Sequence, residues 1–135
     1  MNSYLVREQV RSTFYEDFRE LISETAPKDR LTFDYTHPEF DIEGKYAVDC
    51  QINGMPKPIF IFAIPNDSKC KDVMISMYQF ERWDIKYQSV SIFEDQESIN
   101  RRVLAKFSDI GEKQFSSLLS NKQRITSYIT EHTDI

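Results

Sequence analysis

The spacing of apolar residues predicts an amphipathic helix at the start of the chain. From Ser3 to Thr25 the apolar side chains recur at steps of three and four residues, and charged residues fall mostly between them. This periodicity is typical of a helix with one face on a hydrophobic core. Ser3 is a candidate N-cap, and Pro27 ends the helix.

Three strand-like runs follow this helix. Leu31 to Tyr35 and Lys45 to Ile52 alternate apolar and polar residues, the pattern of strands with one buried face. In the second run Tyr46, Val48, Cys50 and Ile52 are expected on one side, and Asp49 on the other. Asn53-Gly54 predicts a hairpin turn. The third run, Pro58 to Ile64, is apolar on both faces and predicts a central strand.

The second half of the chain predicts further helices around one more strand. Pro65-Asn66-Asp67-Ser68 breaks the third strand and supplies a cap for a helix from Lys69 to about Trp83. Tyr87 to Phe93 alternates as a fourth strand. Helices are then expected over about 96–107, 112–120 and 122–132, and a short strand near Phe107 to Ile110 is an open alternative.

This order of elements predicts one domain of mixed helices and strands, α/β in the broad sense and α+β in the strict one. A helix, three strands, a helix and a strand, followed by C-terminal helices, form a mixed four- to five-stranded sheet flanked by helices. The whole chain, 1–135, is expected to be a single domain. Its core spans about 3–93, and its C-terminal helical part spans about 96–132.

Composition limits the classes of protein that fit. No run of 18 apolar residues occurs, and charges come too early for a signal peptide, so we expect a cytoplasmic protein that does not enter a membrane. Cys50 and Cys70 have no metal-ligand spacing with each other or with His37 and His132. We therefore expect two buried free thiols, no metal site and no cofactor.

The acidic excess lies in the first third of the chain. Residues 1–43 contain 5 Lys and Arg against 10 Asp and Glu, and residues 44–135 contain 12 of each. An acidic chain is a poor candidate for tight nucleic-acid binding, because such binding depends on Lys and Arg at phosphates. Arg101, Arg102 and Lys106 form a small basic patch, which we expect to be a solvated helix face. Nucleic-acid binding without cleavage is the alternative for this patch.

The order of elements also resembles the core of the PD-(D/E)XK, or restriction-endonuclease-like, nucleases. That family has an acidic residue on the second strand and Asp/Glu-x-Lys on the third, which together hold a divalent metal and a water. Asp49 matches the first position. The third strand instead reads Phe60-Ile61-Phe62-Ala63-Ile64, and no ionisable residue lies between Lys57 and Asp67. The resemblance therefore implies the scaffold without its complete catalytic motif.

The same resemblance implies one alternative, a divergent Mg²⁺-dependent nuclease. Families of this fold sometimes place the lysine on the next helix and take an acid from the first helix. The candidates here are Glu16 or Glu20, Asp49, and Lys69 or Lys71. The interpretation we prefer is that Asp49 is a satisfied polar residue and both lysines belong to a solvated helix face.

A second, looser similarity covers about Lys45 to Phe115. This stretch resembles an uncharacterised bacterial and prophage-associated domain family. The resemblance rests on four segments: Val48-Asp49, Pro58-Ile59-Phe60-Ile61, Pro65-Asn66-Asp67-Ser68 and Met77-Tyr78-Gln79-Phe80-Glu81-Arg82-Trp83. It implies a phage, prophage or defence context.

Together these patterns favour a non-catalytic protein-interaction module, possible roles being a phage or mobile-element inhibitor or accessory factor. Glu16, Asp17 and Glu20 give the first helix an acidic face suited to a basic, nucleic-acid-binding protein partner. Tyr78 and Trp83 are candidates for an exposed aromatic patch at a partner interface.

Overall fold

The fold is an α+β arrangement of four helices and five strands, as the computed structural model has it. The structure describes residues 3–133, and the side chains of residues 13–133. The predicted cap at Ser3 lies outside the described side chains. The bounds are α1 Ser3–Thr25, β1 Leu31–Tyr35, β2 Val48–Ile52, β3 Ile59–Ile64, α2 Asp67–Arg82, β4 Gln88–Phe93, α3 Arg101–Ser108, β5 Lys113–Phe115 and α4 Lys122–Thr133.

One mixed sheet has its strands in chain order, from β1 to β5. β1, β2 and β3 form an antiparallel meander. β4 and β5 are then added parallel to β3. The antiparallel pairs are joined by loops, whereas β3 and β4 need a crossover, which α2 provides. The predicted fold class is therefore confirmed, with five strands as the sheet size.

The helices cover the two faces of the sheet in pairs. α1 and α4 pack on one face, where Phe18 and Ile129 contact the cluster that contains Ile61. α2 and α3 pack on the other, where Phe80 and Phe107 join the cluster that contains Phe60 and Phe62. Alternate residues of β3 point to opposite faces, so its apolar run is buried throughout, as the sequence predicts.

Two local features fix the start of α2 and the turn between β2 and β3. Asn66 caps α2, because its side-chain oxygen accepts a hydrogen bond from Lys69 N at 2.9 Å. In the turn after β2, Gly54 has φ +101°, and a Cβ there would lie 2.7 Å from the Arg30 guanidinium. Arg30 Nε donates to Asn53 O at 2.8 Å and closes this turn. The positive φ favours glycine here, whereas the Arg30 side chain could shift to admit a Cβ.

The predicted helix over 112–120 is wrong. The chain instead forms β5, which pairs with β4 and buries Phe115 and Leu118 against α4. Tertiary pairing outweighs the weak helical spacing of this short stretch. No strand occupies Phe107 to Ile110, because α3 extends to Ser108.

Two further boundaries differ from the sequence prediction. The helix expected over 96–107 is split into a 3-10 turn, Gln96–Ser98, and α3, because Asn100 caps α3 by accepting from Arg102 N and Val103 N. β2 begins at Val48 rather than Lys45. Tyr46 and Val48 pack with the α2 cluster, whereas Cys50 and Ile52 pack with the α1 cluster, so the common face expected for these four residues is wrong.

No helix within residues 3–133 is long and apolar enough to cross a membrane.

Candidate functional site

The candidate site lies at the end of the β2–β3 pairing, next to the first turn of α2. Asp49 Oδ1 accepts a hydrogen bond from Lys69 Nζ at 2.8 Å, and Asp49 Oδ2 accepts one from Ala63 N at 2.8 Å. The two side chains are 14% and 24% exposed, respectively. Asp49 is therefore a satisfied polar residue, as expected. Lys69 is not part of a solvated helix face, which corrects the sequence interpretation.

The local strand geometry explains why Asp49 reaches Ala63. The β2–β3 ladder pairs Ile52 with Ile59 and ends at Cys50 with Ile61. Beyond this last pair, the Asp49 carboxylate accepts a hydrogen bond from Ala63 N, in place of a backbone carbonyl of β2. Across the other edge of β2, Asp34 of β1 has φ +52°, a left-handed conformation at the point where regular pairing skips a residue.

Lys69 is held by groups from two other elements. Its Nζ lies 5.2 Å from the centre of the Tyr15 ring on α1, in addition to its contact with Asp49 on β2. Burial lowers the pKa of an ammonium group, but the Asp49 carboxylate and Tyr15 act in the opposite direction and raise the pKa of Lys69 overall. Lys69 therefore stays charged and joins α1, β2 and α2.

Further carboxylates line the hollow beside this pair. A hollow of about 420 Å³ contains Asp34, Asp49 and Asp72 in its lining, with Lys69 beside them. Among the described residues, however, no three His, Cys, Asp or Glu side chains are grouped closely enough to hold a metal ion. Both Asp49 oxygens already accept hydrogen bonds. This arrangement ties β2 to β3 and to the start of α2.

The other candidates for that site stand apart from it. Glu16, Glu20 and Lys71 are exposed, and no described hydrogen bond or ion pair joins them to Asp49. The sequence thus offered Asp49 with Lys69 or Lys71 only as an alternative, and the fold selects Lys69 and adds Tyr15 and the N–H of Ala63.

A second feature, the loop of residues 36–47, is built around a buried carboxylate. Asp41 is 4% exposed, and its two oxygens accept hydrogen bonds from Lys45 N at 2.8 Å and Tyr46 N at 2.9 Å. The Asp41 main chain bonds to His37 O and Gly44 N. A carboxylate that accepts backbone N–H groups on both oxygens fixes the loop as one unit.

This loop presents apolar side chains to solvent beside α2. Ile42 is 85% exposed and Phe40 is 48% exposed. Phe40 stacks between His37 and Trp83, at centroid distances of 4.8 and 5.8 Å. We define the α2–loop patch as these residues with their neighbours along the helix: Phe40, Ile42, Tyr46, Ile75, Tyr78, Gln79 and Trp83.

Hollows and helical spacing connect the members of the α2–loop patch. Phe40, Ile42, Tyr46, Gln79 and Trp83 line one hollow of about 330 Å³. Tyr46 also lines the adjacent hollow with Ile75, which is 56% exposed. Tyr78, 53% exposed, lies three residues after Ile75 and is its neighbour on the helix surface. Tyr78 is thus exposed, as expected, whereas Trp83 is half-buried, and Tyr78 also lines a different hollow, with Tyr87 and Ile110.

The remaining predicted binding residues lie on other surfaces. Glu16 and Glu20 are exposed on α1, and Asp17 is half-buried there, on the opposite side of the sheet from α2. Arg101 and Arg102 are exposed at the start of α3. The acidic, aromatic and basic candidates do not form one site.

The predictions from sequence did not include Phe40, Asp41 and Ile42. A signal was present: an apolar–acidic–apolar triplet between His37-Pro38 and Gly44 is unusual for a solvated loop. The burial of Asp41 between the two exposed side chains depends on the loop conformation.

Comparison with known proteins adds no relative to this picture. No family model, no curated protein and no solved structure matches the chain.

Proposed function

We propose that this chain is a non-catalytic protein-interaction module that binds a basic protein partner through the α2–loop patch. The observation that carries the proposal is Ile42, which is 85% exposed at the tip of a loop whose conformation is fixed by the buried Asp41. An exposed apolar side chain on a pre-ordered loop loses little conformational entropy on binding. It is the type of anchor that interfaces use.

The charge around the patch supports a basic partner. Residues 34–45 carry Asp34, Glu39, Asp41 and Glu43 against Lys45, a net charge of −3, of which the ion pair of Asp34 with Arg19 offsets one. An apolar centre with an acidic surround is complementary to an apolar side chain flanked by Lys or Arg. The acidic face of α1, with Glu16, Asp17 and Glu20, adds to the negative field without belonging to the patch.

The cellular setting of the proposal comes from the sequence. An inhibitor or accessory factor of a phage or other mobile element, acting in the cytoplasm on a basic nucleic-acid-binding protein, fits both the prophage-family resemblance and the acidic charge. Genes for such a target next to the gene for this chain would support the proposal.

The test is affinity purification from the native host with matched variants. The wild-type chain and Ile42→Ser carrying Tyr78→Ser are compared with Leu119→Ser, which removes a side chain that is 66% exposed outside the patch. We expect the wild type and Leu119→Ser to recover the same basic protein and the patch variant to lose it. Equal recovery by all three overturns the proposal. Loss only when Glu16, Asp17 and Glu20 are changed together to Lys moves the interface to α1.

The Asp49–Lys69 pair favours one alternative, a divergent Mg²⁺-dependent nuclease. Its support is that Lys69 on α2 contacts the Asp49 carboxylate on β2. Some nucleases of the PD-(D/E)XK fold, which the order of elements resembles, also place their lysine on this helix. Incubation with plasmid, single-stranded DNA and RNA in Mg²⁺ or Mn²⁺ tests it. Cleavage that is lost in Asp49→Asn and kept in Asp72→Asn would replace the leading proposal, and no cleavage removes this alternative.

A further inference from the structure

β5 is the last strand of the sheet and leaves one edge open. It pairs with β4 on one side, and no strand within residues 3–133 pairs with its other side. The polar backbone groups on the outer side of an end strand are available to another extended chain. At the opposite end of the sheet, β1 has its left-handed residue at Asp34, which interrupts regular extension there.

A cleft of about 600 Å³ runs along this open edge. Its lining includes the consecutive residues Lys113, Gln114, Phe115 and Ser116 on one side. Successive side chains of a strand point to opposite faces, so a cleft that touches four residues in a row lies along the strand edge rather than on one face. The opposite wall is the outer side of α4, from Arg124 to Glu131.

The cleft is lined by two cationic side chains, Lys113 and Arg124, for which no ion pair is described. Lys113 Nζ lies 5.0 Å from the centre of the Phe115 ring and 5.3 Å from that of Tyr128. Neither Lys113 nor Arg124 forms an ion pair with any side chain among residues 13–133. Two cations and Glu131 make the lining net positive, in a chain whose net charge is −5.

We propose that this cleft binds an extended acidic peptide segment of a partner protein, which adds a sixth strand beside β5. Main-chain hydrogen bonds between the peptide and the β5 edge provide the affinity. Alternate side chains of the peptide contact the walls of the cleft and provide the specificity. Acidic side chains of the peptide contact Lys113 and Arg124. The eight residues from Arg124 to Glu131 span about 10 Å of helix, the length of roughly three extended residues.

This surface is separate from the α2–loop patch and prefers the opposite charge. The patch flanks α2 on one face of the sheet, whereas the cleft is bounded by α4, which packs on the other face. The two proposals therefore fail independently.

The test uses a labelled synthetic peptide of alternating Glu and Val and measures fluorescence anisotropy with the full chain. We expect a Kd on the order of 100 µM, because only a few main-chain bonds and two ion pairs form. Two control peptides have the same length: one with alternate amides N-methylated, and one with Lys in place of Glu. Both are expected to bind at least about tenfold more weakly, since each loses one of the two interactions.

Protein variants locate the binding. Lys113→Gln with Arg124→Gln is expected to weaken the acidic peptide about tenfold, and Lys106→Gln, an exposed lysine on α3, leaves it unchanged. Amide chemical shifts should change at 113–116 and along α4. No binding up to millimolar peptide, equal binding of the N-methylated peptide, or shifts elsewhere would each overturn the proposal. So would displacement by oligo-dT with equal affinity, which indicates a general anion site.

Discussion

The ammonium group of Lys69 lies 2.8 Å from the carboxylate of Asp49, and this contact connects the first turn of α2 to the strand β2. The pair is mostly shielded from solvent, and Asp49 has only one other partner, the N–H of Ala63. An ion pair of this kind is important less for its own attraction than for the cost of leaving one charge buried alone.

Replacing Lys69 should therefore destabilise the fold. We expect Lys69→Met to lower the free energy of unfolding by roughly 2 kcal/mol, because Asp49 is left charged and poorly solvated. Lys71→Met, at an exposed position on the same helix, is the control and should change it by less than about 0.5 kcal/mol. Urea unfolding followed by circular dichroism measures both. Equal effects of the two substitutions would show that the pair contributes nothing to stability.

The double variant separates pairing from packing. If Asp49 and Lys69 stabilise each other, Asp49→Asn with Lys69→Met should cost less than the sum of the two single changes, by about 1–2 kcal/mol. A strictly additive result would assign the loss in Lys69→Met to its aliphatic chain and its contact with Tyr15.

Much of the fold was predictable because the relevant signals are local. Apolar runs and their breaks indicated α1, β1, β3, α2, β4 and α4. β5 was missed because three residues carry too little periodicity, and its strand conformation depends on pairing with β4. The split after Ser98 required the cap that Asn100 makes, which the spacing of apolar residues does not report.

The candidate site was predictable only in part, for a similar reason. Asp49 and Lys69 are residue types with an evident chemistry, so sequence alone could nominate them, but it could not choose between Lys69 and Lys71. Asp41 is buried by a loop whose conformation is set by hydrogen bonds to Lys45 N and Tyr46 N, and no pattern of residue types encodes them.

The two cysteines should be unreactive in the folded chain. Cys50 and Cys70 are each 0% exposed, and burial raises the pKa of Cys50 to about 12 and that of Cys70 to about 11. The thiolate is the reactive form, so at pH 8 we expect modification by a disulfide reagent at least about a hundredfold slower than in denaturant. Release of the coloured thiol product at 412 nm measures it. Rapid labelling of one thiol in the native chain would contradict the burial of that residue.

Tyr87 should make stability fall at alkaline pH. Burial raises its pKa to about 12, and Glu112 and Glu81 act in the same direction. Between about pH 10, where the unfolded phenol ionises, and pH 12, the folded state keeps a proton that the unfolded state has lost, so stability decreases as pH rises. Lys69, whose pKa is also raised, acts with the same sign.

The contribution of Tyr87 is isolated by substitution. Tyr87→Phe should reduce the loss of urea-midpoint stability between pH 10 and 12, whereas Tyr78→Phe, at an exposed tyrosine, should leave it unchanged. Absorbance at 295 nm should show one late-titrating phenol fewer in Tyr87→Phe alone, while Tyr35 and Tyr128, whose pKa values burial also raises, remain. The same pH profile in both variants would show that Tyr87 does not contribute.

Removing the carboxylate of Asp41 should release the loop that carries Phe40 and Ile42. Asp41→Ala deletes the bonds to Lys45 N and Tyr46 N and leaves two N–H groups to find water, at a cost of roughly 2 kcal/mol in the free energy of unfolding. We expect faster hydrogen exchange at these two amides and faster chymotryptic cleavage after Phe40, which stacks on Trp83 only while the loop is held. Glu39→Ala, at an exposed acid in the same loop, is the control and should match the wild type.

If Asp41→Ala exchanges and is cleaved no faster than Glu39→Ala, the loop is ordered by its apolar contacts instead. Partner binding would then survive the loss of Asp41, although it should still be lost in the Ile42 variant.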